Sequence, residues 1–215
     1  MTKQGFFITI EGAEGAGKST QIALLKEYLE EKYSYECVLT REPGGTMIAE
    51  KLRDIVKYCQ DEEICDEAEL MLFNAARAQH VFNLIRPAVQ DGKAVICDRF
   101  YDSTTVYQGY ARGLDLDSVN FINSYAVGDC RPDLTIVLNI DTEAGFQRVN
   151  SRAHENIDVD RFEQAGGSFH EKVRKGFLTI AELEPERVKV VDAANSIEEV
   201  HANVREVVDE FISKL

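Results

Sequence analysis

The chain has 215 residues, with 24 lysines and arginines against 38 aspartates and glutamates, and a formal net charge of −14. That balance argues against a broad DNA- or RNA-binding face, which would repel the phosphate backbone; any polyanionic ligand must instead meet a local cluster of arginines. The five cysteines (Cys37, Cys59, Cys65, Cys97 and Cys130) are odd in number and lack C-x-x-C spacing, so they read as buried free thiols in a reducing cytoplasm rather than a disulfide framework.

The elements follow in chain order. Phe7, Ile8 and Ile10 open an apolar, β-prone strand that runs into Gly12, Gly15 and Gly17. It begins too early to leave room for a signal peptide. Ile22, Leu25, Leu29 and Tyr33 recur at helical spacing and predict a helix over about 18–32. "ECVLT" is a second strand, and a helix follows near 47–58. A longer helix near 66–90 is disturbed at Pro87. "AVICD" is a short buried strand ending on Asp98, followed by helical stretches around 102–110 and 117–127. "LTIVLNID" and "RVKVVDA" are further strands. The last helix opens on a capping box of Ser196 and Glu199 and carries a stripe of Ile197, Val200, Val204, Val207, Phe211 and Leu215. No apolar run approaches the ~20 residues of a membrane span. Strands alternating with helices, several of them wholly apolar, predict an α/β fold: one domain over 1–215 with a parallel sheet covered on both faces. Ligands then bind at the carboxyl ends of the strands, where Gly12, Arg41, Asp98 and Asp141 all fall.

The segment "GAEGAGKST" fits G-x-x-x-x-G-K-[ST], a pattern that average composition places in roughly 1% of chains this long. Gly12, Ala13, Glu14, Gly15, Ala16 and Gly17 let the backbone curl so that N–H groups point at phosphate oxygens. Lys18, Ser19 and Thr20 open the following helix, whose positive dipole end faces the same anion. Lys18 reaches the β- and γ-phosphates, and the Ser19 hydroxyl is placed to ligate Mg²⁺. The chain therefore binds a nucleoside triphosphate. The N-K-x-D and D-x-x-G strings of a GTP-dependent switch are absent. A phosphotransferase needs a second cationic pocket for its acceptor, and arginines recur at strand ends in "TREPGGT", at Arg53, in "DRF" and through 148–161. Two other readings stay open: a kinase with another nucleotide or deoxynucleoside acceptor, and a module that binds nucleotide without transferring phosphate.

Taken together, "EGAEGAGKST", "TREPGGT", "LFNAARAQHV", "DRFYDSTTVYQGYARG" and "RPDLTIVLNID" resemble the bacterial thymidylate kinases, in order and over nearly the whole chain. The resemblance implies a five-stranded nucleoside monophosphate kinase fold with a mobile lid, a homodimer, and ATP- and Mg²⁺-dependent conversion of dTMP to dTDP. It assigns the dTMP phosphate to Arg41, Arg53 and Arg99, with Arg99 also meeting the transferring group, and gives Asp98 a share in holding Mg²⁺. Glu14 would face the deoxyribose 3′-hydroxyl; a loop acid that merely orients an arginine is the plainer reading. The lid is expected at about 148–167, where Arg148, Arg152 and Arg161 are available and Arg152 is chosen to close on ATP. Ala194 and Asn195, after the last strand, are expected beside adenine. Tyr107 and Gln108 are placed near the sugar, with the Tyr107 ring under C2′.

An acceptor that is a phosphate monoester, largely dianionic by analogy with phosphorylated side chains, needs no general base. The obstacle is bringing two anions together in line. For the base, Phe73 and Arg77 lie four apart on a helical stretch and project from one face. Phe73 can stack on a pyrimidine. The guanidinium, which donates and cannot accept, suits O4 of thymine and opposes the amino group of cytosine. Ser103 and Thr104 are candidates for the remaining polar edge.

Overall fold

Five apolar runs become strands, and the one that enters the glycine loop lies at the centre. The structure, a computed structural model, describes residues 3–59, 62–152 and 167–215, without the side chains of Asn150 and Arg152. Strand β1 (Phe6–Glu11) is flanked by β3 (Ala94–Asp98) and β4 (Leu134–Asn139), and the edges are β2 (Cys37–Arg41) and β5 (Val188–Asp192). The order is β2-β3-β1-β4-β5 and every pairing is parallel. Every residue of β1 is buried, which is why it reads as a continuous apolar run rather than an alternating one.

Successive side chains of β1 serve opposite layers. Phe6, Ile8 and Ile10 pack with Leu25 and Leu29 of α1 (Lys18–Tyr33) and with Val200, Val204 and Val208 of α9 (Ile197–Ile212). Phe7 packs on the other face with Val81, Ile85, Val95 and Phe100. The chain passes from β1 out to β2 and back through β3, then crosses to β4 and β5. The direction reverses around β1, and in open α/β sheets such a reversal leaves the ligand crevice.

The remaining helices are α2 (Met47–Tyr58), α3 (Asp66–His80), α4 (Arg86–Gln90), α5 (Tyr101–Thr104), α6 (Leu116–Val127), α7 (Thr142–Arg152) and α8 (Gly167–Leu183). The long helix predicted over 66–90 is interrupted as expected near Pro87. A π-helical turn at Val81–Ile85 separates α3 from α4, and Pro87 sits in the first turn of α4, where its missing N–H costs nothing. The stretch expected as one helix over 102–110 is α5 followed by a π-helical segment, Thr105–Ala111. Helix α8 is absent from the sequence reading, although Val173, Phe177 and Ile180 recur at helical spacing and are buried. No helix among the described residues is long and apolar enough to cross a membrane.

Two expectations need correction. The buried stripe of α9 is Val200, Val204 and Val208; Val207 and Phe211 are only partly buried, and Ile197 and Leu215 are exposed. Ile197 stands at the first helical position and Leu215 beyond the last turn, so neither reaches the sheet. All five cysteines are free, but only Cys97 is buried, and Cys65 is exposed at the start of α3. The capping box is present as predicted: Ser196 accepts the Glu199 N–H, and Glu199 returns to the Ser196 N–H at 3.1 Å. Replacing Ser196 with Ala is expected to lower stability by about 1 kcal/mol, read as a shift in the urea midpoint with the m-value unchanged.

Candidate active site

The glycine loop depends on two glycines at close backbone approaches. Gly12 has φ +136°, and a Cβ there would lie 2.4 Å from the Leu138 carbonyl oxygen of β4. Gly15 has φ +75°, and its Cβ would meet the Gly145 carbonyl of α7 at 2.2 Å. Lys18 curls across this loop, with Nζ donating to the Gly12 and Ala13 carbonyls at 3.2 and 3.0 Å. Burial, with the Arg99 charge behind it, pulls the Lys18 ammonium below its usual pKa.

The acceptor side is built on the turn after β3. Register sets Asp98 beside Ile10, and the chain then turns at Arg99, whose φ is +68°. The Arg99 guanidinium lies 5.3 Å from the Tyr107 ring centroid, donates to Ser103 Oγ at 3.2 Å and pairs with Glu14 Oε1 at 2.6 Å. Lys18, and then Arg99, hold the Glu14 carboxyl down at about 2 against the burial that opposes them. Of the two roles left open for Glu14, orienting an arginine is the one the geometry displays.

Arg41 pairs with Glu50 at 3.0 Å, half-exposed, and Arg53 Nη1 donates to the Pro43 carbonyl at 2.7 Å, just after a cis Glu42–Pro43 peptide. An exposed pair such as Arg41–Glu50 is worth little and yields readily to a stronger anion. Arg77 behaves differently. It is 1% exposed, and its fork donates to Glu42 Oε2 (2.8 Å), Asn74 Oδ1 (3.0 Å), Asn123 Oδ1 (3.2 Å) and Thr104 Oγ1 (2.9 Å). Glu42 is shared with the buried His80, 3.0 Å away. Gln108 is turned toward Glu69, to which its amide donates at 2.8 Å.

These groups enclose one cleft of about 270 Å³. Its wall joins Glu14, Gly15, Gly17, Lys18, Ser19 and Thr20 to Arg41, Arg53, Phe73, Arg77, Asp98 and Arg99, and to Ser103, Thr104, Tyr107 and Gln108. Every residue nominated for the acceptor therefore lines the cleft into which the glycine loop opens. Ala194 and Asn195 are not part of this wall. They lie on the flank of α1, where Arg148 donates to the Ala193 and Ala194 carbonyls at 2.9 and 3.3 Å and Gln21 donates to the Ile197 carbonyl at 3.1 Å. Asp141, the other strand-end acid, caps α7 by accepting the Glu143 N–H at 3.0 Å. The Arg152 side chain, Arg161 and most of the lid expected at 148–167 lie outside the described residues.

The same arrangement of motifs recurs in known proteins. The family model described as Thymidylate kinase matches residues 10–204. The chain belongs to the thymidylate kinase family. It is 48% identical over 197 residues to the thymidylate kinase of Syntrophotalea carbinolica, covering 91% of each chain. It is 47% identical over 208 residues to that of Symbiobacterium thermophilum, covering 97% of this chain and 94% of the other. It also superposes on the crystal structure of thymidylate kinase from Ehrlichia chaffeensis with a TM-score of 0.74 at 35% identity, over 95% of this chain and 98% of that one. As a member of this family it is a phosphotransferase, and its sheet is that of a P-loop nucleoside monophosphate kinase.

Several further residues line the cleft that no sequence motif singled out. Lys57 follows Arg53 by four positions on α2, a spacing that itself places both on one helix face. Glu42, Pro43 and Phe100 also border the cleft. The most consequential omission is Glu11, the last residue of β1 and fully buried. It accepts the Phe100 N–H at 2.7 Å and the Ser103 hydroxyl at 2.6 Å, and burial, with the nearby Asp102 charge, pushes its carboxyl up to about 7. It opens the segment "EGAEGAGKST" but stands one residue ahead of the phosphate-loop pattern, which begins at Gly12, so that pattern gave it no role.

A carboxyl raised by folding binds its proton more tightly in the native state. Its contribution to stability is full below its unfolded value and is lost as pH rises through about 7. Equilibrium urea unfolding of the wild type is expected to show this loss between about pH 4.5 and 7, and Glu11→Gln is expected to remove it from the profile.

Proposed function

We propose that the protein transfers the γ-phosphoryl group of ATP to the phosphate of dTMP, giving dTDP and ADP. The reading is supported by one observation above the others: a phosphate-binding loop and an arginine-lined acceptor pocket share a single cleft. The dTMP phosphate oxygen attacks without a general base. The work left to the protein is neutralising and aligning two anions. Arg41, Arg53 and Arg99 take the dTMP phosphate, and Arg99 and Lys18 face the oxygens of the group in transit. Arg41 exchanges an exposed carboxylate partner, and Arg53 a backbone carbonyl, for the dianionic phosphate.

Ser19 and Asp98 suit Mg²⁺. Asp98 Oδ1 is buried with no hydrogen-bond partner among the described residues, as a carboxylate kept for a cation or its waters would be. Bound Mg²⁺ would neutralise charge on the donor phosphates.

Phe73 stacks on thymine, and Arg77, with four of its five N–H groups committed to protein oxygens, keeps one Nη2 hydrogen for O4. The Tyr107 ring, held under the Arg99 guanidinium at 5.3 Å, takes the C2′ face of the sugar and excludes a 2′-hydroxyl in this reading. Ser103, Thr104, Gln108 and Glu14 complete the nucleoside pocket. Arg148, Ala194 and Asn195 serve the adenine side, and Arg152 closes over ATP from the lid. A homodimer is supported by the exposed Met47 and Ile48 of α2, Met71 of α3, and Phe121 and Tyr125 of α6, three helices that pack against one another in series. Five free thiols suit a cytoplasmic setting.

A coupled ADP-release assay against a panel of nucleosides and monophosphates tests the assignment, and dTMP is expected to be the preferred acceptor. Lys18→Ala is expected to fold and to lose at least a thousand-fold in kcat, roughly the scale of removing charge stabilisation from phosphoryl transfer. Near-normal turnover would remove the loop from the chemistry. Arg77→Ala leaves the buried Glu42 carboxylate with His80 but without its guanidinium, and so also costs stability; its diagnostic is therefore the ratio of kcat/KM for dTMP over dCMP, expected to fall at least tenfold. The ratio for dTMP over dUMP, set by one methyl group and worth about 1–3 kcal/mol, should change little.

A further inference from the structure

Arg99 has a side chain yet sits at φ +68°, a left-handed conformation that such residues hold only where the surroundings compel it. The compulsion comes from the end of β1. The Arg99 N–H donates to the Ile10 carbonyl at 3.0 Å, and the next N–H, that of Phe100, donates to Glu11 Oε1 at 2.7 Å. Two consecutive residues of one strand thus grip two consecutive amides of the turn. The side chain is gripped as well. Ser103 gives its hydroxyl hydrogen to Glu11 Oε2 at 2.6 Å and so presents lone pairs to Arg99 Nη1 at 3.2 Å, while Arg99 Nη2 meets Glu14 at 2.6 Å. The chain of contacts leaves the strand at Glu11, passes through Ser103 and Arg99, and returns at Glu14, three residues further along the same loop.

We infer that Glu11 is the positioning residue that sets both the backbone and the guanidinium of Arg99 for phosphoryl transfer. It is fully buried, does not border the cleft and touches neither nucleotide in the proposed reaction. The inference rests on the proposed role of Arg99 at the transferring group. The charge and the hydrogen-bond polarity both matter. A neutral amide at position 11 still accepts from Phe100 through its oxygen, but its NH₂ faces Ser103. The hydroxyl must then accept from both sides, and its own hydrogen loses its partner. The guanidinium is held less firmly in a site where displacement by about 1 Å costs on the order of 100-fold in rate.

The test is steady-state kinetics of ATP:dTMP phosphotransfer at pH 8 for the wild type, Glu11→Gln, Ser103→Ala, Arg99→Ala and the Glu11→Gln/Arg99→Ala double variant, with thermal melts of each. Glu11→Gln is expected to melt close to the wild type and to lose roughly 10- to 100-fold in kcat, with KM for ATP little changed and KM for dTMP, whose phosphate Arg99 also holds, raised by less than kcat falls. Ser103→Ala, which cuts the path between Glu11 and Arg99 without altering β1, is expected to lose kcat in the same direction. In the Arg99→Ala background, Glu11→Gln is expected to cost nothing further, because the group it positions is gone. An unchanged kcat in Glu11→Gln overturns the inference, and so does an equal loss with and without Arg99, which would make Glu11 a general strut. Near-normal turnover in Arg99→Ala would instead overturn the role of Arg99, and the inference with it.

Discussion

The parallel register between β1 and β3, which sets Ile10 opposite Asp98, is the constraint on which the site depends. Parallel strands present their carboxyl ends on the same edge, so the loop that leaves β1 at Gly12 and the turn that leaves β3 at Arg99 emerge side by side. A slip of one residue would turn the Asp98 side chain to the opposite face of the sheet. Because β1 is buried on both faces, the same slip made by β1 instead would drive Phe6, Ile8 and Ile10 into the wrong layer. The core therefore specifies the active-site geometry as strongly as any contact made within the cleft.

Electrostatics resolves what would otherwise be a contradiction. A chain carrying −14 must hold two anionic nucleotides, and it does so by concentrating cations at one edge of the sheet and giving each a weak or exchangeable partner. Arg41 has Glu50, Arg53 has a backbone carbonyl, and Lys18 has two. Glu14 is the close counter-ion of Arg99, and the drop in its carboxyl to about 2 reflects the positive field of Lys18 and Arg99 around it. Arg77 stands apart from these. Its fork is locked among Glu42, Asn74, Asn123 and Thr104, which suits the role proposed for it, reading a neutral base edge with one donor rather than grasping a charge.

Much of this was legible in the chain because it was local. The glycine spacing of 12–17 followed by Lys18 and Ser19 specifies a phosphate cradle through φ preferences alone. The wholly apolar strands announce a sheet covered on both faces, and the capping box marks the start of α9 to the residue. Resemblance nominated Arg41, Arg53 and Arg99 for the acceptor phosphate and Phe73 and Arg77 for the base, and all of them border the cleft. Periodicity was misleading where the helix ends, since Ile197 and Leu215 continue the stripe in sequence but fall outside the length of helix that touches the sheet, and at Val207, whose neighbour Val208 is the buried residue.

What the sequence determined by itself was therefore the class of fold, the triphosphate loop and the identity of the cationic side chains, since each follows from short-range geometry or a contiguous motif. Tertiary structure alone decided which partner each charge meets. Glu42 finds Arg77 across 35 positions, Glu14 finds Arg99 across 85, and Glu11 finds Phe100 across 89. No local pattern encodes such pairings, because they exist only once parallel strands bring distant chain ends to one edge. The same holds for burial: Arg77 reads as a surface arginine until the 42–45 loop, α3 and α6 close around it, and Glu11 reads as an unremarked strand-end acid until the turn after β3 is laid over it.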